Sequence, residues 1–348
     1  MLEASWGGIP KYLDRIAREL TASGDRVELL VNLRRWSTEI PGAHAVPLRL
    51  KGRGLWRDLR VPAWALRHRP DVYWAPETVL PRRPGVPAVV TVHDLAPLLF
   101  PGSKPPAVER AFRTSLPRSV GTAARVICVS HATAADVTRC WGVPPERIRV
   151  IPNGVDERFT PGNRVAAGER VRERFGIDGR YVLHVGSLEP RKGLDILFAA
   201  AELAPWRLVL AGSPGFGGER LLAAAQRVAA AVLRGAGDDD LVALYRAADA
   251  LAAPALYEGF GLPPLEAMAC GTPAVIATPG GALEEISGPA AIGVPDRDAA
   301  AWASAIEEAV ARRDELAAAG IAHAARFSWS ATAAATRQVL AEAAVMSA

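Results

Sequence analysis

Short apolar runs rich in Val, Ile and Leu alternate along the chain with longer stretches rich in Ala, Leu and Arg. Apolar runs without polar alternation are typical of parallel strands covered on both faces, and the longer stretches have the length of helices. The strands predicted in this way are 27–31, 71–74, 88–93, 125–129 and 149–151 in the first half, and 181–185, 207–210, 230–233, 274–277 and 290–294 in the second.

A polar stretch, 156–180, separates the two series of strands. It contains the Pro161-Gly162-Asn163 turn and a short charged helix at 166–175, which is typical of a linker between domains. We therefore predict an α/β protein of two doubly wound, Rossmann-like parallel-sheet domains, 1–160 and 161–325, followed by a last helix within 326–348. Ligands of such sheets bind at the carboxyl ends of the strands.

Composition agrees with a soluble globular protein, since 50% of the 348 residues are hydrophobic and 22% are charged. The chain lacks an apolar run of about 18 residues, and its N-terminus lacks the basic and apolar regions of a signal peptide. The three cysteines, Cys128, Cys140 and Cys270, do not have the spacing of a metal site. We expect a reducing, cytoplasmic compartment.

Charge is distributed unevenly along the chain. Residues 1–165 contain 25 Lys and Arg against 15 Asp and Glu, a net charge of +10, whereas residues 166–348 contain 16 against 22, a net charge of −6. A basic first half favours an anionic partner such as a phosphorylated lipid acceptor or an anionic membrane surface. Nucleic acid is not expected, because no recognised binding motif accompanies the charge.

The most informative motif is Glu-Gly-Phe-Gly-Leu-Pro-Pro-Leu-Glu, in which Glu258 and Glu266 bracket a loop that turns into a helix. Glycines let a ligand approach the backbone closely, and the prolines suit a first helical turn, where their missing N–H groups are not needed. Backbone donors and two carboxylate acceptors suit a polyhydroxylated ligand such as a sugar. The predicted ligand contacts in this loop are Glu258, Gly259, Phe260, Gly261, Leu262 and Glu266.

The chain resembles the GT4 family of retaining GT-B glycosyltransferases, the glycosyl transferases group 1, over almost its whole length. The Glu258–Glu266 motif has the family's E-x7-E form. The other matching motifs are Gly7-Gly8-Ile9-Pro10-Lys11-Tyr12, Thr91-Val92-His93-Asp94, Val129-Ser130, Ile151-Pro152-Asn153-Gly154-Val155-Asp156, Val185-Gly186-Ser187-Leu188-Glu189-Pro190-Arg191-Lys192-Gly193 and Leu210-Ala211-Gly212. Phe327-Ser328-Trp329 precedes a last helix that in the family crosses back to the first domain.

The resemblance implies two Rossmann-like domains that face each other across a cleft, and a metal-independent, retaining transfer of a hexose from a nucleotide sugar to a hydroxyl of a glycan or lipid-linked acceptor. In the family the leaving phosphate oxygen is thought to take the acceptor proton, so a general-base carboxylate is not required. Glu266 would bind the ribose hydroxyls, and Glu258 with the 260–262 backbone would bind the donor sugar. The Glu-Pro-Arg-Lys form resembles that of many mannosyltransferases, so GDP-mannose is the first donor to consider.

Arg191 and Lys192 follow the predicted strand 181–185 and precede a predicted helix at 194–201. Two cations beside a helix N-terminus form a clamp for a diphosphate, and adjacent cations need a shared anion or solvent. The family often has an Arg where this chain has Ser187, which makes Arg191 the principal guanidinium. Leu233, at the end of strand 230–233, completes the predicted donor contacts of this domain.

His93 ends the apolar strand 88–93 and matches the histidine that lies in the family's cleft. The resemblance implies a hydrogen bond from His93 to the donor sugar near the reacting carbon, with Asp94 orienting the ring or capping the next segment. Gly7 and Gly8 open a predicted helix, 11–20, and would let its N-terminus approach the phosphate and the acceptor. A strand-end histidine without this match would be structural.

Two features of the sequence have ordinary structural interpretations. Asp238, Asp239 and Asp240 resemble a metal-binding Asp-x-Asp, but they open the predicted helix 241–248, where acids favour the helix dipole. We therefore predict neither a metal nor another cofactor.

The segment 51–69 mixes arginines with Leu and Trp, and Pro62 interrupts it. We interpret it as a core-packed helix with a basic outer face, and the alternative is a surface that lies on the inner face of an anionic membrane.

Only six residues precede Gly7, too few for the strand that begins the first sheet of family members. We therefore expect the first domain to lack this strand, or the natural start to lie upstream.

Two other functions remain as alternatives. One is another GT-B chemistry, a glycoside phosphorylase or a nucleotide-sugar epimerase, and the other is a sugar-nucleotide binder without catalysis.

Overall fold

A computed structural model describes residues 8–32, 40–278 and 280–346. Contacts within the chain divide it into two units. The first unit takes the described residues within Met1–Leu95, Ala107–Gly154 and Ser328–Ala348, and the second takes Ala96–Pro106 and Val155–Phe327. The short segment Ala96–Pro106 thus groups with the second unit, although it lies within the first half of the sequence. The predicted single boundary between residues 160 and 161 places this segment in the first domain.

The strands of both units are short and follow the predicted apolar runs closely. In chain order they are β1 Glu28–Val31, β2 His44–Pro47, β3 Tyr73–Ala75, β4 Ala88–Val92, β5 Arg125–Cys128, β6 Ile148–Val150, β7 Tyr181–Val185, β8 Arg207–Ala211, β9 Ala231–Leu233, β10 Ala250–Ala253, β11 Ala274–Ala277 and β12 Ala291–Val294.

Helices follow most of these strands. They are α1 Gly8–Ala22, α2 Arg53–Leu55, α3 Val61–His68, α4 Ala96–Leu99, α5 Pro106–Thr122, α6 His131–Trp141, α7 Arg164–Phe175, α8 Leu194–Ala201, α9 Glu219–Arg227, α10 Asp238–Ala247, α11 Leu262–Ala269, α12 Ala282–Ser287, α13 Ala299–Ala311, α14 Arg313–Ala324 and α15 Trp329–Val345. Single 3-10 turns lie at Pro145–Arg147, Pro190–Lys192 and Gly288–Ala290, and a π turn lies at Trp56–Arg60.

In the first unit, β3, β4, β5 and β6 form a parallel sheet in that order, and β1 pairs with β2 in a separate parallel pair. All five residues of β4 are buried, as its continuous apolar sequence predicts. The last helix α15 belongs to this unit, where Trp329 and Ala333 pack against the buried side chains of Tyr12 and Ile16 on α1. The expected absence of a first strand concerns the sequence before Gly8, which lies outside the described residues.

In the second unit, six parallel strands lie in the order β12-β11-β10-β7-β8-β9. The order reverses direction between β7 and β10, which are neighbours in the sheet although β8 and β9 come between them in sequence. This is the switch point at which doubly wound sheets bind their ligands. The parallel α/β class predicted for the chain is confirmed in each unit.

Two strands were missed by the sequence analysis. The central strand β10 has the sequence Ala-Leu-Ala-Ala, and its alanines indicate helix rather than strand. All four residues are buried, because β10 lies in the middle of the sheet between β7 and β11. The second missed strand, β2, is short and mostly exposed, and its pairing with β1 alone defines it.

The segment 51–69 is not one helix. The π turn Trp56–Arg60 connects α2 to α3, and Pro62 lies in the first turn of α3, where its missing N–H is not needed. Val61, Trp64 and Ala65 are buried, as predicted for a core-packed face. The predicted basic side chains Arg60 and Arg67 are exposed, and three leucines that were not expected on the surface, Leu55, Leu59 and Leu66, are 58%, 58% and 66% exposed as well.

Within the described residues, none of the helices combines the length and the apolar character that a bilayer crossing requires.

Candidate functional site

The loop after β7 carries the first group of predicted ligand contacts. A 3-10 turn, Pro190–Lys192, lies between the carboxyl end of β7 and the start of α8, and it contains Arg191 and Lys192. Gly193 ends this turn at φ 67°, and a Cβ there would overlap the carbonyl oxygen of Pro254. A glycine is therefore required at position 193 for the loop to pack against the neighbouring one.

The loop after β10 carries the second group. Because β10 lies beside β7, the two loops meet at one edge of the sheet, and the N–H of Leu256 donates to the carbonyl oxygen of Arg191 at 2.9 Å. Gly261, at φ 108°, precedes α11, which begins at Leu262 and carries Pro263 in its first turn. The predicted loop-to-helix turn of the Glu258–Glu266 motif is confirmed.

Glu258 joins both cations of the predicted clamp. Its Oε2 accepts a hydrogen bond from Arg191 Nη1 at 3.3 Å, and its Oε1 is paired with Lys192 Nζ. Lys192 is only 8% exposed. The shared anion that two adjacent cations require is thus a side chain of the protein itself.

The ionisation of Glu258 follows from these contacts. Burial by itself raises the pKa of this carboxyl, but the charges of Lys192 and Arg191 outweigh it and leave the pKa below its usual value. Glu258 is therefore ionised at neutral pH. The family resemblance assigns Glu258 to the donor sugar, whereas its ion pairs with the clamp are seen only in the structure.

Glu266 lies in α11, the helix that follows the loop, and is 7% exposed. Its Oε2 accepts a hydrogen bond from the hydroxyl of Tyr245 on α10 at 2.7 Å. Burial, followed by the nearby charge of Glu266, raises the pKa of Tyr245 well above its ordinary value, so Tyr245 remains a donor. This bond fixes the position of the Glu266 carboxylate.

The remaining predicted contacts of the second unit lie on the same loops. Ser187 is half-buried after β7 and hydrogen-bonds the carboxylate of Glu189. Leu233 ends β9, where its carbonyl oxygen accepts from the N–H of Gly212 at 2.9 Å. Gly259 is buried in the motif, and the ring of Phe260 packs edge-on against Phe327 with centroids 6.2 Å apart.

Two predicted contacts, Gly8 and His93, belong to the first unit. Gly8 is exposed and is the first residue of α1. His93 follows β4, its Nε2 lies 2.8 Å from the carbonyl oxygen of Pro76, and the Tyr12 ring packs edge-on at 4.8 Å. A carbonyl partner requires a proton on Nε2, which leaves Nδ1 as the acceptor of the ring. Burial lowers the pKa of His93, so the ring is neutral at pH 7.

Sequence reasoning missed three polar residues around the loops. Glu189 is 3% exposed and bonds Arg191, Tyr245 bonds Glu266, and His184 is 3% exposed inside β7. His184 Nδ1 lies 3.0 Å from the carbonyl oxygen of Ala252, and no described group partners its Nε2. A histidine inside an apolar strand and a glutamate beside two cations were visible signals, but their partners come from distant positions in the sequence.

The aspartates at 238–240 open α10, as predicted. Asp240 accepts from the N–H of Gly237 at 3.1 Å, and Asp238 pairs with Arg158 at 3.1 Å. These are contacts of a helix N-terminus with neighbouring basic side chains. Among the described residues, no group of three or more His, Cys, Asp or Glu side chains is placed to hold a metal ion.

Two family models match the chain. Glycosyltransferase Family 4 matches residues 6–159, and Glycosyl transferases group 1 matches residues 169–326. Among solved structures, the sucrose-phosphate synthase of Thermosynechococcus elongatus has a TM-score of 0.75 at 22% identity, over 97% of this chain and 94% of that one. The Anabaena protein HepE in complex with UDP and glucose has a TM-score of 0.75 at 20% identity, over 96% of both chains. These likenesses show the GT-B fold.

Curated relatives named D-inositol 3-phosphate glycosyltransferase are more similar in sequence. The one from Thermobispora bispora is 32% identical over 97% of this chain and 90% of its own length. Those from Segniliparus rotundus and Acidothermus cellulolyticus are 35% and 37% identical over 72% and 73% of this chain, which spans 60% and 61% of their lengths. With both family models and a relative matched along nearly its whole length, the chain belongs to the GT4 family of GT-B glycosyltransferases.

Proposed function

We propose that this chain is a retaining, metal-independent glycosyltransferase that moves a hexose from a nucleotide sugar to a hydroxyl of a glycan or lipid-linked acceptor. The observation that carries the proposal is the convergence of Arg191, Lys192 and Glu258 from two adjacent loops at the switch point of the second sheet, with Glu266 in the helix that follows the second loop. A diphosphate, a ribose and a sugar are the three parts of a donor that cations and carboxylates at these positions can bind.

The chemical task in this proposal is electrostatic. Arg191 and Lys192 bind the diphosphate and stabilise the negative charge that develops on it as the sugar departs. Glu266 accepts from the ribose hydroxyls, while Glu258 accepts from hydroxyls of the donor sugar. His93, with its neutral ring, offers a hydrogen bond near the reacting carbon. The leaving phosphate oxygen takes the acceptor proton on the same face, which retains the configuration.

Metal independence is part of the proposal because basic side chains and helix dipoles supply the positive charge that a divalent ion supplies elsewhere. Asp238 and Asp240, which resemble a metal motif, already pair with arginines and with the backbone of their own helix. No further cofactor is proposed, since the activated sugar brings its own leaving group.

The donor and the acceptor are proposed from different observations. The Glu-Pro-Arg-Lys form of the β7 loop favours GDP-mannose, whereas UDP and glucose occupy the structural neighbour HepE. The name of the relatives favours an inositol phosphate as acceptor, and the net charge of +10 in residues 1–165 suits a phosphorylated molecule. An acceptor hydroxyl on a phosphorylated polyol or lipid is consistent with both.

We also propose that the protein acts in the cytoplasm and contacts the inner face of the membrane through α2, the π turn and α3. Leu55, Leu59 and Leu66 are exposed on this face. The exposed arginines Arg60 and Arg67 lie beside them. Exposed leucines among arginines suit the boundary between anionic headgroups and acyl chains.

The experiment that tests the function has two stages. A thermal-shift panel of GDP-mannose, UDP-glucose and other nucleotide sugars identifies the donor, because a ligand at a hundred times its Kd stabilises by about 2.7 kcal/mol. Release of nucleoside diphosphate is then measured with and without inositol phosphates and lipid acceptors, in the presence of EDTA. Acceptor-dependent release in EDTA is expected. Acceptor-independent conversion of the donor would favour an epimerase, and binding without turnover would favour a sugar-nucleotide binder.

A further inference from the structure

Glu189 bridges two cations beneath the clamp. Its Oε1 accepts from Lys104 Nζ at 2.8 Å, and its Oε2 accepts from Arg191 Nε at 3.0 Å. The Glu189 side chain is only 4% exposed. Burial raises the pKa of this carboxyl, but the hydrogen bond from Lys104 and the charge of Arg191 bring it below the usual value. Glu189 is therefore a buried, ionised carboxylate that holds the principal guanidinium of the clamp.

Lys104 comes from Ala96–Pro106, the segment of the first half that groups with the second unit. The same segment places the ring of Phe100 5.5 Å from the ring of Tyr257. The carbonyl oxygen of Tyr257 accepts from Arg191 Nη1 at 3.1 Å. One segment thus supports two of the acceptors that orient Arg191.

The space for Glu189 is built into the fold. A Cβ at position 215 would overlap the Cγ and the carboxylate of Glu189, so Gly215 leaves the room that the side chain occupies. Ser187 also hydrogen-bonds this carboxylate. A buried carboxylate with this many dedicated contacts has a fixed position, and it fixes the guanidinium that it binds.

Charge decides what Lys104 adds. Arg191 and Lys192 carry two positive charges, and the carboxylates bonded to them, Glu189 and Glu258, carry two negative ones. The charges of these four side chains sum to zero, and a group without net charge does not attract a diphosphate. Lys104 gives the five a net charge of +1. Interactions among partly buried charges are weakly screened, so the single charge of Lys104 has a measurable effect on anion binding.

We propose that Lys104 is a positioning residue of the diphosphate clamp: it neutralises Glu189, so that Glu189 orients Arg191 without cancelling its charge. This inference rests on the proposed function, because it takes the clamp as the site of the donor diphosphate. The sequence around Lys104 contains no motif that would suggest the role, and the second unit receives the residue from the other half of the chain.

The test measures binding of inorganic pyrophosphate by calorimetry, because this probe needs neither the base nor the sugar of the donor. Lys104→Gln is expected to weaken pyrophosphate binding about tenfold, whereas Lys104→Arg stays within about twofold of wild type. Arg227→Gln, at an exposed arginine in the last turn of α9, removes the same charge from the same unit and is the matched control.

The double variant Lys104→Gln/Glu189→Gln separates charge from structure. Removing the buried carboxylate restores the net charge of +1, so pyrophosphate affinity is expected to return to within about threefold of wild type. Glu189→Gln alone is expected to bind pyrophosphate at least as tightly as wild type but to lower kcat with the donor, because Arg191 loses its orientation. A purely structural Lys104 would leave the double variant as weak as Lys104→Gln or weaker.

Melting temperatures are recorded for every variant. If Lys104→Gln does not fold, Glu189→Gln and the double variant still decide, since weaker pyrophosphate binding by both overturns the proposal. Unchanged binding in Lys104→Gln also overturns it. Failure of the proposed function is a separate outcome, recognised when wild type binds pyrophosphate but transfers no sugar from any donor in the panel.

Discussion

The carboxylate of Glu258 is shared by Lys192 and Arg191, so one anion of the protein holds both cations of the proposed clamp. Lys192 Nζ pairs with one oxygen, and Arg191 Nη1 contacts the other at 3.3 Å. Under the proposed function, a diphosphate that takes the place of Glu258 as the partner of these cations would free its carboxylate. The freed carboxylate would then accept hydrogen bonds from hydroxyls of the donor sugar, which would link diphosphate binding to sugar binding.

The clamp residues are expected to distinguish phosphates from the nucleoside. Arg191→Ala or Lys192→Ala should weaken binding of nucleoside diphosphate by about 1.5–3 kcal/mol, roughly ten- to a hundredfold, because each removes a charged partner of the diphosphate. Binding of the nucleoside alone should change little. Calorimetry with both ligands checks this, and equal losses for the two would contradict the clamp.

Glu266 is expected to bind the ribose hydroxyls of the donor. Wild type should prefer a nucleoside diphosphate to its 2′-deoxy analogue, and Glu266→Ala should weaken the ribose ligand about tenfold and remove the preference. Tyr245→Phe, which keeps the ring and loses the hydrogen bond at 2.7 Å, should cause a smaller loss, about threefold. Dissociation constants of both ligands for both variants provide the measurement. A Glu266→Ala protein that still prefers ribose would remove this residue from the site.

His93 is expected to act in the transition state. If its ring contacts the sugar near the reacting carbon, His93→Ala should lower kcat about a hundredfold and leave nucleoside diphosphate affinity near wild type. A structural histidine, held by Pro76 and Tyr12, would instead lower the melting temperature and weaken every ligand alike. Measuring kcat, Kd and Tm on one purified variant separates these outcomes, and a stable, fully active variant would exclude both roles.

His184 is expected to make stability depend on pH. Burial lowers its pKa from 6.5 to about 4, so the ring is neutral in the folded protein while the unfolded chain takes up a proton below pH 6.5. The contribution is fully present above pH 6.5 and is lost as pH falls towards 4, by about 3 kcal/mol in total.

The measurement for His184 is the free energy of unfolding in urea between pH 7 and pH 4. His184→Asn should show a shallower decrease than wild type. The exposed His44→Asn is the control and should run parallel to wild type. Identical slopes for all three proteins would show that the buried ring does not control this pH dependence.

The exposed leucines of the first unit are expected to bind membranes. Leu59→Ser/Leu66→Ser should lower affinity for vesicles that contain phosphatidylglycerol at least tenfold, since each leucine contributes apolar area on insertion. Leu203→Ser, at a leucine that is 61% exposed in the second unit, is the control. Co-sedimentation with anionic and neutral vesicles provides the readout, and a double variant that binds like wild type would leave the face without a membrane role.

The linear pattern of the chain determined much of the fold. Short, mostly apolar runs such as β4 and β7 are typical of strands with both faces covered, and the sequence located them within one or two residues. The Glu258–Glu266 motif likewise specified its own turn, because Gly261 and Pro263 have backbone preferences that act locally.

Only the tertiary structure decided the features whose partners are distant in sequence. β10 is a strand because it pairs with β7 on one side and with β11 on the other, not because Ala250–Ala253 favours extended backbone. Lys104 meets Glu189 across 85 positions, and Glu258 meets Lys192 across 66. Local preferences do not encode such pairings, since they exist only after the sheet has brought its loops to one edge.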